Sequence, residues 1–384
     1  MVTTKKKPTA VAKKVAKSAS RKRAAPRRAL ADAEGPPLTV AQARAMVEAA
    51  TKPAGPRRAR SAGFAGPAPA TPATLAIQRR KLAIQKREEI KQREHDYAAT
   101  LELLKARGIK GLPTAQPGAR TKRLRRRAPG APAAATGPLR VLAEGDSWFD
   151  YPVPLFGGGL IPRLENRLGV PILSLAKAGD ETRYMLGVEQ RQLIASHLRD
   201  GSPDGGTWEL MLFSGGGNDI VANPLALWLR DFDAALSPAK LVHGVRFGSA
   251  LALIRAAYED LIEMRDKLSP QTHLVFHAYD FALPDGRGIC HMGPWLQPAF
   301  KLRGYPADMT VATMVVKEML VQFAAILRSL EVPGSVTFVN AQGTLSPVAA
   351  SWHNEMHPSK GGFNQIADVL HGRIKTLFPG RVLQ

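Results

Sequence analysis

The sequence predicts an α/β domain, a five-stranded parallel sheet with helices on both faces, preceded by a disordered basic arm and one long helix. Three observations carry this. Five short apolar runs, RVLAEG, PILSLAKAG, WELMLFSGGGND, HLVFHAYD and SVTFVNAQG, each close on a Gly, Asp or Asn turn, as buried strands do. Helix-forming stretches separate the runs, which implies parallel strands joined by crossover helices. The net excess of basic residues, finally, lies in the amino-terminal third alone.

That asymmetry comes first along the chain. The formal net charge is +22 over 384 residues, yet residues 1–137 hold 32 Lys and Arg against 8 Asp and Glu, and residues 138–384 hold 22 against 24. Residues 1–73 are rich in Ala, Pro, Lys and Arg and poor in large apolar groups, so they are expected to form a disordered arm that cannot offset its chain entropy. Proline then vanishes, and strong helix formers over 74–107 predict one long, charged, exposed helix. Its apolar stripe (Ile77, Leu82, Ile84, Ile90, Tyr97, Leu101, Leu104) is too narrow for a strong coiled coil. Residues 108–137 read as a basic Pro/Ala-rich linker, and the α/β domain is expected over 138–384.

Net positive charge on the arm suits salt-sensitive contact with a polyanion, either nucleic acid or anionic lipid. Phe64 and Tyr97 are the only aromatic residues in 1–137, so base stacking is not expected there. A single cysteine, Cys290, excludes an internal disulfide and a cysteine-rich metal cluster. No cofactor or metal is expected. No run approaches the roughly 18 uninterrupted apolar residues of a membrane span, and the first residues lack a signal-peptide apolar region. The expectation is a cytoplasmic protein without a transmembrane segment.

Within the domain, helices are expected near 160–168, 182–198, 248–268, 309–330 and 360–377. In such sheets the ligand sits beyond the carboxyl ends of the strands. The polar chemistry collects there. The first strand ends in Gly145-Asp146-Ser147-Trp148, the second in Ala178-Gly179-Asp180, and the third in Gly216-Gly217-Asn218-Asp219. After the fifth comes Trp352-His353-Asn354-Glu355-Met356-His357-Pro358.

Acyl transfer needs a nucleophile, a base, and donors aimed at the oxygen that becomes negative. Ser147 supplies the first, and His353 and His357 compete for the second. The Ser147 and Gly179 backbone N–H groups and the Asn218 side-chain amide would form the oxyanion hole. Glycine at 179 lets backbone approach a substrate closely. Asp146 and Asp219, each beside a motif residue at a turn, read as structural supports.

The ordered motifs G-D-S, a glycine after the second strand, G-x-N-D and a histidine followed by proline resemble the SGNH (GDSL-like) hydrolase superfamily over about residues 139–377. The resemblance implies a three-layer, flavodoxin-like fold and a serine hydrolase acting on a small-molecule carboxylic ester through an acyl-enzyme. It also implies His357 as base, with His353 a neighbour. One position departs: where the family has an aspartate three residues before the histidine, this chain has Asn354. Three readings stand. Asn354 orients His357 through its carbonyl oxygen; or Glu355 or Asp280 replaces the missing acid; or the domain is an inactive ligand-binding relic on a polyanion- or nucleic-acid-binding protein. The long segment 281–308 is expected to form a lid or binding wall, and Trp148, Phe149, Tyr151, Trp295 and Trp352 either line a pocket mouth or simply pack.

Overall fold

A computed structural model of the chain describes residues 35–51, 72–110, 137–151, 158–222, 224–289 and 293–383. Most of the expected arm and linker, and Cys290, lie outside the described residues. The sheet is five-stranded and wholly parallel, in the order β2-β1-β3-β4-β5. Its strands are β1 (Val141–Gly145), β2 (Ile172–Ser174), β3 (Leu210–Ser214), β4 (His273–His277) and β5 (Val336–Val339). This is the flavodoxin-like order, so the α/β expectation holds. Each strand is a nearly continuous buried apolar run, because both faces of the sheet are covered.

The chain steps from β1 to β2, then reverses past β1 to β3, β4 and β5. Right-handed crossovers therefore put the first connecting helix on one face and the next three on the other. The first is α3 (Leu160–Leu168), which packs with the last helix, α7 (Lys360–Leu377). Opposite lie α4 (Val188–Asp200), α5 (Gly244–Leu268) and α6 (Thr310–Ser329). The expected single helix at 182–198 is broken into a short turn, Thr182–Met185, and α4. Gly187 sits at the break, where a Cβ would lie 2.7 Å from the Arg183 carbonyl. Helix α6 is long and apolar enough to cross a membrane by length and composition alone. Here Val315, Met319, Phe323 and Leu327 on its inner face are buried in the core.

Two helices precede the sheet, α1 (Val40–Thr51) and α2 (Pro72–Arg107). The first corrects the expectation of disorder across 1–73. Thr39 and Gln42 form a reciprocal cap, with Gln42 N–H donating to Thr39 Oγ1 and Thr39 N–H to Gln42 Oε1. Val40, Ala43 and Val47 then bury against Leu103 and Leu104 of α2. Tertiary packing thus stabilises a helix too short to persist alone.

The second helix is not the exposed rod expected. Ile90, Tyr97 and Leu101 belong to the main core, and Tyr97 meets Trp208 with ring centroids 5.7 Å apart. Arginines from both helices also cap the edge strand. Arg44 donates to the carbonyl of Ile172, and Arg93 to those of Ser174 (3.1 Å) and Ala176 (2.8 Å). These are backbone acceptors that β1, on the other side of β2, does not use.

Candidate active site

The turn that carries Ser147 is built by Asp146. Its carboxylate, 2% exposed, accepts the Trp148 backbone N–H and the hydroxyls of Ser214 and Tyr279. Burial pushes its acid up to about 6, against the pull of these three donors. Gly145 is required just before it, because a Cβ there would sit 2.7 Å from the Ser214 carbonyl on the adjacent strand. The turn lifts Ser147 off the end of β1. Trp148 Nε1 donates to the Met356 carbonyl at 3.1 Å, tying this turn to the histidine loop 208 positions later.

Ser147 and His357 meet: Ser147 Oγ lies 2.6 Å from His357 Nε2. On the far side of the imidazole, Nδ1 is 3.0 Å from Asn354 Oδ1. The same amide oxygen accepts the backbone N–H groups of Met356 (3.0 Å) and His357 (2.9 Å). Asn354 Nδ2 donates to the Tyr151 hydroxyl at 3.2 Å, and that hydroxyl lies 2.7 Å from His353 Nδ1. The Tyr151 ring stacks on the His357 ring at 4.4 Å between centroids and 25° between planes. Burial, with His353 nearby, pushes the His357 imidazole down to about 3, so it is neutral at ordinary pH.

Neither alternative acid reaches His357. The Glu355 carboxylate turns away and accepts four backbone N–H groups, from Gly286, Trp295, Leu296 and Gln297. Asp280 is spent on the N–H groups of Phe281, Gly343 and Leu345. Both are buried loop anchors, and among the described residues neither carboxylate has a hydrogen bond to His357. Glu355 thereby pins the long segment after β4 to the loop that carries His357. That role was invisible in sequence, because adjacency to His357 says nothing about which way a side chain points.

The oxyanion candidates stand as follows. Gly179 has φ +84° and open space where a Cβ would be. Among the described residues, neither its N–H nor that of Ser147 donates to any protein acceptor. Asn218 opens a single helical turn, Gly217–Ile220, and one of its amide hydrogens goes to the Asp180 carbonyl at 2.9 Å. That bond joins the loops after β2 and β3. Asp219 accepts both the N–H and the hydroxyl of Thr182, fixing the same junction. Arg93 adds a third tie, since besides the Ser174 and Ala176 carbonyls it reaches Asp150 at 3.2 Å.

A small cavity of about 50 Å³ opens between these loops, lined by Ser147, Asn218, His357 and the apolar Ile220, Leu320 and Met356. Gly179 is not among its lining residues. Of the expected aromatics, Trp148 borders the cavity, while Phe149, Tyr151 and Trp352 are buried and pack. Tyr151, expected only as a pocket-mouth or packing aromatic, and His353, expected only as a rival base or neighbour, are joined to Asn354 by hydrogen bonds that the sequence did not reveal. Tyr151 lies 203 positions from Asn354, and no local pattern marks it.

No protein-family model and no curated protein matches the chain. Solved structures with a similar fold include a lipase from a goat rumen metagenome, at 16% identity and TM-score 0.40, covering 61% of this chain and 96% of that one. An extracellular lipase from Streptomyces rimosus has 16% identity and TM-score 0.39, covering 61% and 99%. A carbohydrate acetylesterase from Sinorhizobium meliloti has 13% identity and TM-score 0.37, covering 62% and 100%.

Proposed function

We propose that this chain is an SGNH-type serine hydrolase that cleaves a carboxylic ester through an acyl-enzyme on Ser147. The observation that carries the reading is the 2.6 Å contact between Ser147 Oγ and a neutral His357 Nε2, with Nδ1 engaged by an acceptor. An imidazole that donates from Nδ1 presents its Nε2 lone pair to the serine hydroxyl, as a general base must.

In the first half-reaction His357 takes the Ser147 proton as Oγ bonds to the ester carbon. The carbonyl electrons move onto oxygen, where the N–H groups of Ser147 and Gly179 and the second Asn218 amide hydrogen receive them. Collapse breaks the bond to the alkoxy group, which leaves as an alcohol carrying the proton from His357. Water then repeats the sequence on the acyl-enzyme and releases the acid. The missing carboxylate leaves the imidazolium less stabilised, so turnover is expected to be slow for a serine hydrolase.

The cavity favours a small acyl group. At about 50 Å³ it has space for only a few waters, at roughly 10–15 Å³ each, which fits an acyl chain of a few carbons. The basic arm, by our reading, is a salt-sensitive tether to a polyanion.

The test uses the full chain. A fluorophosphonate should label it at Ser147 and p-nitrophenyl acetate should turn over, with both lost in Ser147→Ala. A chain that neither labels nor turns over would be the inactive relic instead.

A further inference from the structure

Resting on this hydrolase reading, we infer that Tyr151 is the residue that lets an asparagine stand in the acid's place: its hydroxyl, held by His353, takes the Asn354 amide N–H and keeps the Asn354 carbonyl on His357. Tyr151 is a positioning residue, acting through Asn354.

The difficulty with asparagine is that its two ends are nearly the same shape. Turned round, the amide would offer an N–H to Nδ1, and the imidazole would place its proton on Nε2, where it cannot accept from serine. Two locks oppose that rotation. On the oxygen side, the N–H groups of Met356 and His357 need an acceptor. On the nitrogen side, the Tyr151 hydroxyl must accept from Nδ2, so its own proton has to go elsewhere, and His353 Nδ1 at 2.7 Å takes it.

The donors then all run one way. Ser147 donates to His357, His357 to Asn354 and Asn354 to Tyr151, and on this reading the Tyr151 proton goes to His353. Turning the Asn354 amide round sets its N–H groups against the backbone N–H groups of Met356 and His357 in a buried site, where Asn354 is 0%, Tyr151 4% and His357 5% exposed. Tyr151 also fixes the plane of the imidazole it orients, by stacking on it.

Among the described residues no nearby charge does this work instead. Glu355 and Asp280 are tied to backbone amides. Arg287, beside His353, donates to the carbonyls of Ala349 and Trp352. Trp295 presents only a ring edge to His357.

The experiment is a double-mutant cycle in the full chain, with p-nitrophenyl acetate turnover, fluorophosphonate labelling and a pH profile for each variant. Tyr151→Phe keeps the ring and removes the hydroxyl. Its kcat should fall about 10- to 100-fold while KM stays within about twofold, because substrate contacts are untouched. His353→Ala should show the same kcat-only loss, smaller in size.

Asn354→Asp removes the orientation problem, since a carboxylate accepts at both ends and the Tyr151 hydroxyl can turn to donate to it. That variant should have a higher kcat and an acidic limb moved toward neutral pH. Added to it, Tyr151→Phe should cost less than about threefold.

Equal costs of Tyr151→Phe in the two backgrounds would overturn the inference, as would an unchanged kcat in the natural background. A natural chain that is not labelled at Ser147 would overturn the hydrolase reading and the inference with it. Labelling with normal turnover in Tyr151→Phe would overturn the inference alone.

Discussion

The side-chain oxygen of Asn354 lies 3.0 Å from His357 Nδ1 and accepts two backbone N–H groups from the same loop. Three donors converge on one neutral acceptor. A carboxylate could fill the same place, but it would also raise the basicity of the histidine. Asparagine supplies the orientation without the charge, and the pH dependence should show the difference.

Burial pushes the His357 imidazole down to about 3, and no carboxylate opposes the shift. The base therefore stays unprotonated well below the usual histidine pKa of about 6.5. We expect no histidine limb near 6.5 in kcat/KM: any fall between pH 7 and pH 5 should follow Asp146, pushed up to about 6, and vanish in Asp146→Asn, while the His357 limb comes only as the pH nears about 3. A limb centred near 6.5–7 that persists in the pH–rate profile of Asp146→Asn would contradict this.

Stability follows the same group with a definite sign. The unfolded chain binds the His357 proton more tightly than the folded one, so neutral burial carries no penalty above about pH 6.5. Stability is then lost progressively as pH falls from there toward about 3. Urea denaturation at pH 7 and pH 5 should show the decline, and His357→Gln should flatten part of it.

Of the two histidines in the loop, only His357 touches Ser147. His357→Ala should lower kcat by at least about 10³-fold, as loss of a serine hydrolase base does. His353→Ala, three links further along the relay, should cost far less. Equal losses in steady-state assays would mean that the base is misassigned.

Glu355→Gln should destabilise the fold by roughly 2–4 kcal/mol, because an amide cannot accept all four N–H groups and leaves buried donors unpaired. Chemical denaturation measures this directly. Activity should fall as well, since the segment from Gly286 to Gln297 would be freed from the catalytic loop.

Arg93 joins the Ser174 and Ala176 carbonyls to Asp150, and so links the loop carrying Gly179 to the turn carrying Ser147. Arg93→Ala should reduce kcat/KM by about tenfold or more through a small misplacement of the oxyanion donors. Arg93→Lys, which cannot reach three acceptors at once, should not restore it. Wild-type kinetics in Arg93→Ala would show the tie to be without catalytic consequence.

Much of the fold was legible because buried parallel strands and their crossover helices leave strong local patterns. The strands at 141–145 and 210–214 and the helix at 360–377 fall where apolar runs and turn residues put them. That Ser147, Asn218 and His357 lie around one cavity was legible because sheet topology brings strand ends together. Helix α1 was missed when composition was averaged over a long Ala/Pro/Lys stretch, although Thr39-Val40-Ala41-Gln42 carries a capping-box pattern that could have flagged it. The burial of Tyr97 and Leu101 depends on Trp208 and its neighbours in the core, which a helix periodicity cannot reveal. Tyr151 and the direction of Glu355 are tertiary facts of the same kind.

The boundary that composition suggests near residue 138 separates the sheet from part of its own protection, because β2 is an edge strand. Its outward carbonyls at Ile172 and Ser174 are occupied by Arg44 and Arg93, which lie before that boundary. A chain cut at 138 would keep the serine and the histidine and lose the guard on its sheet. An uncovered edge is a template for strand addition by a second copy. Self-association, more than failed chemistry, would be the first symptom of such a trimmed protein.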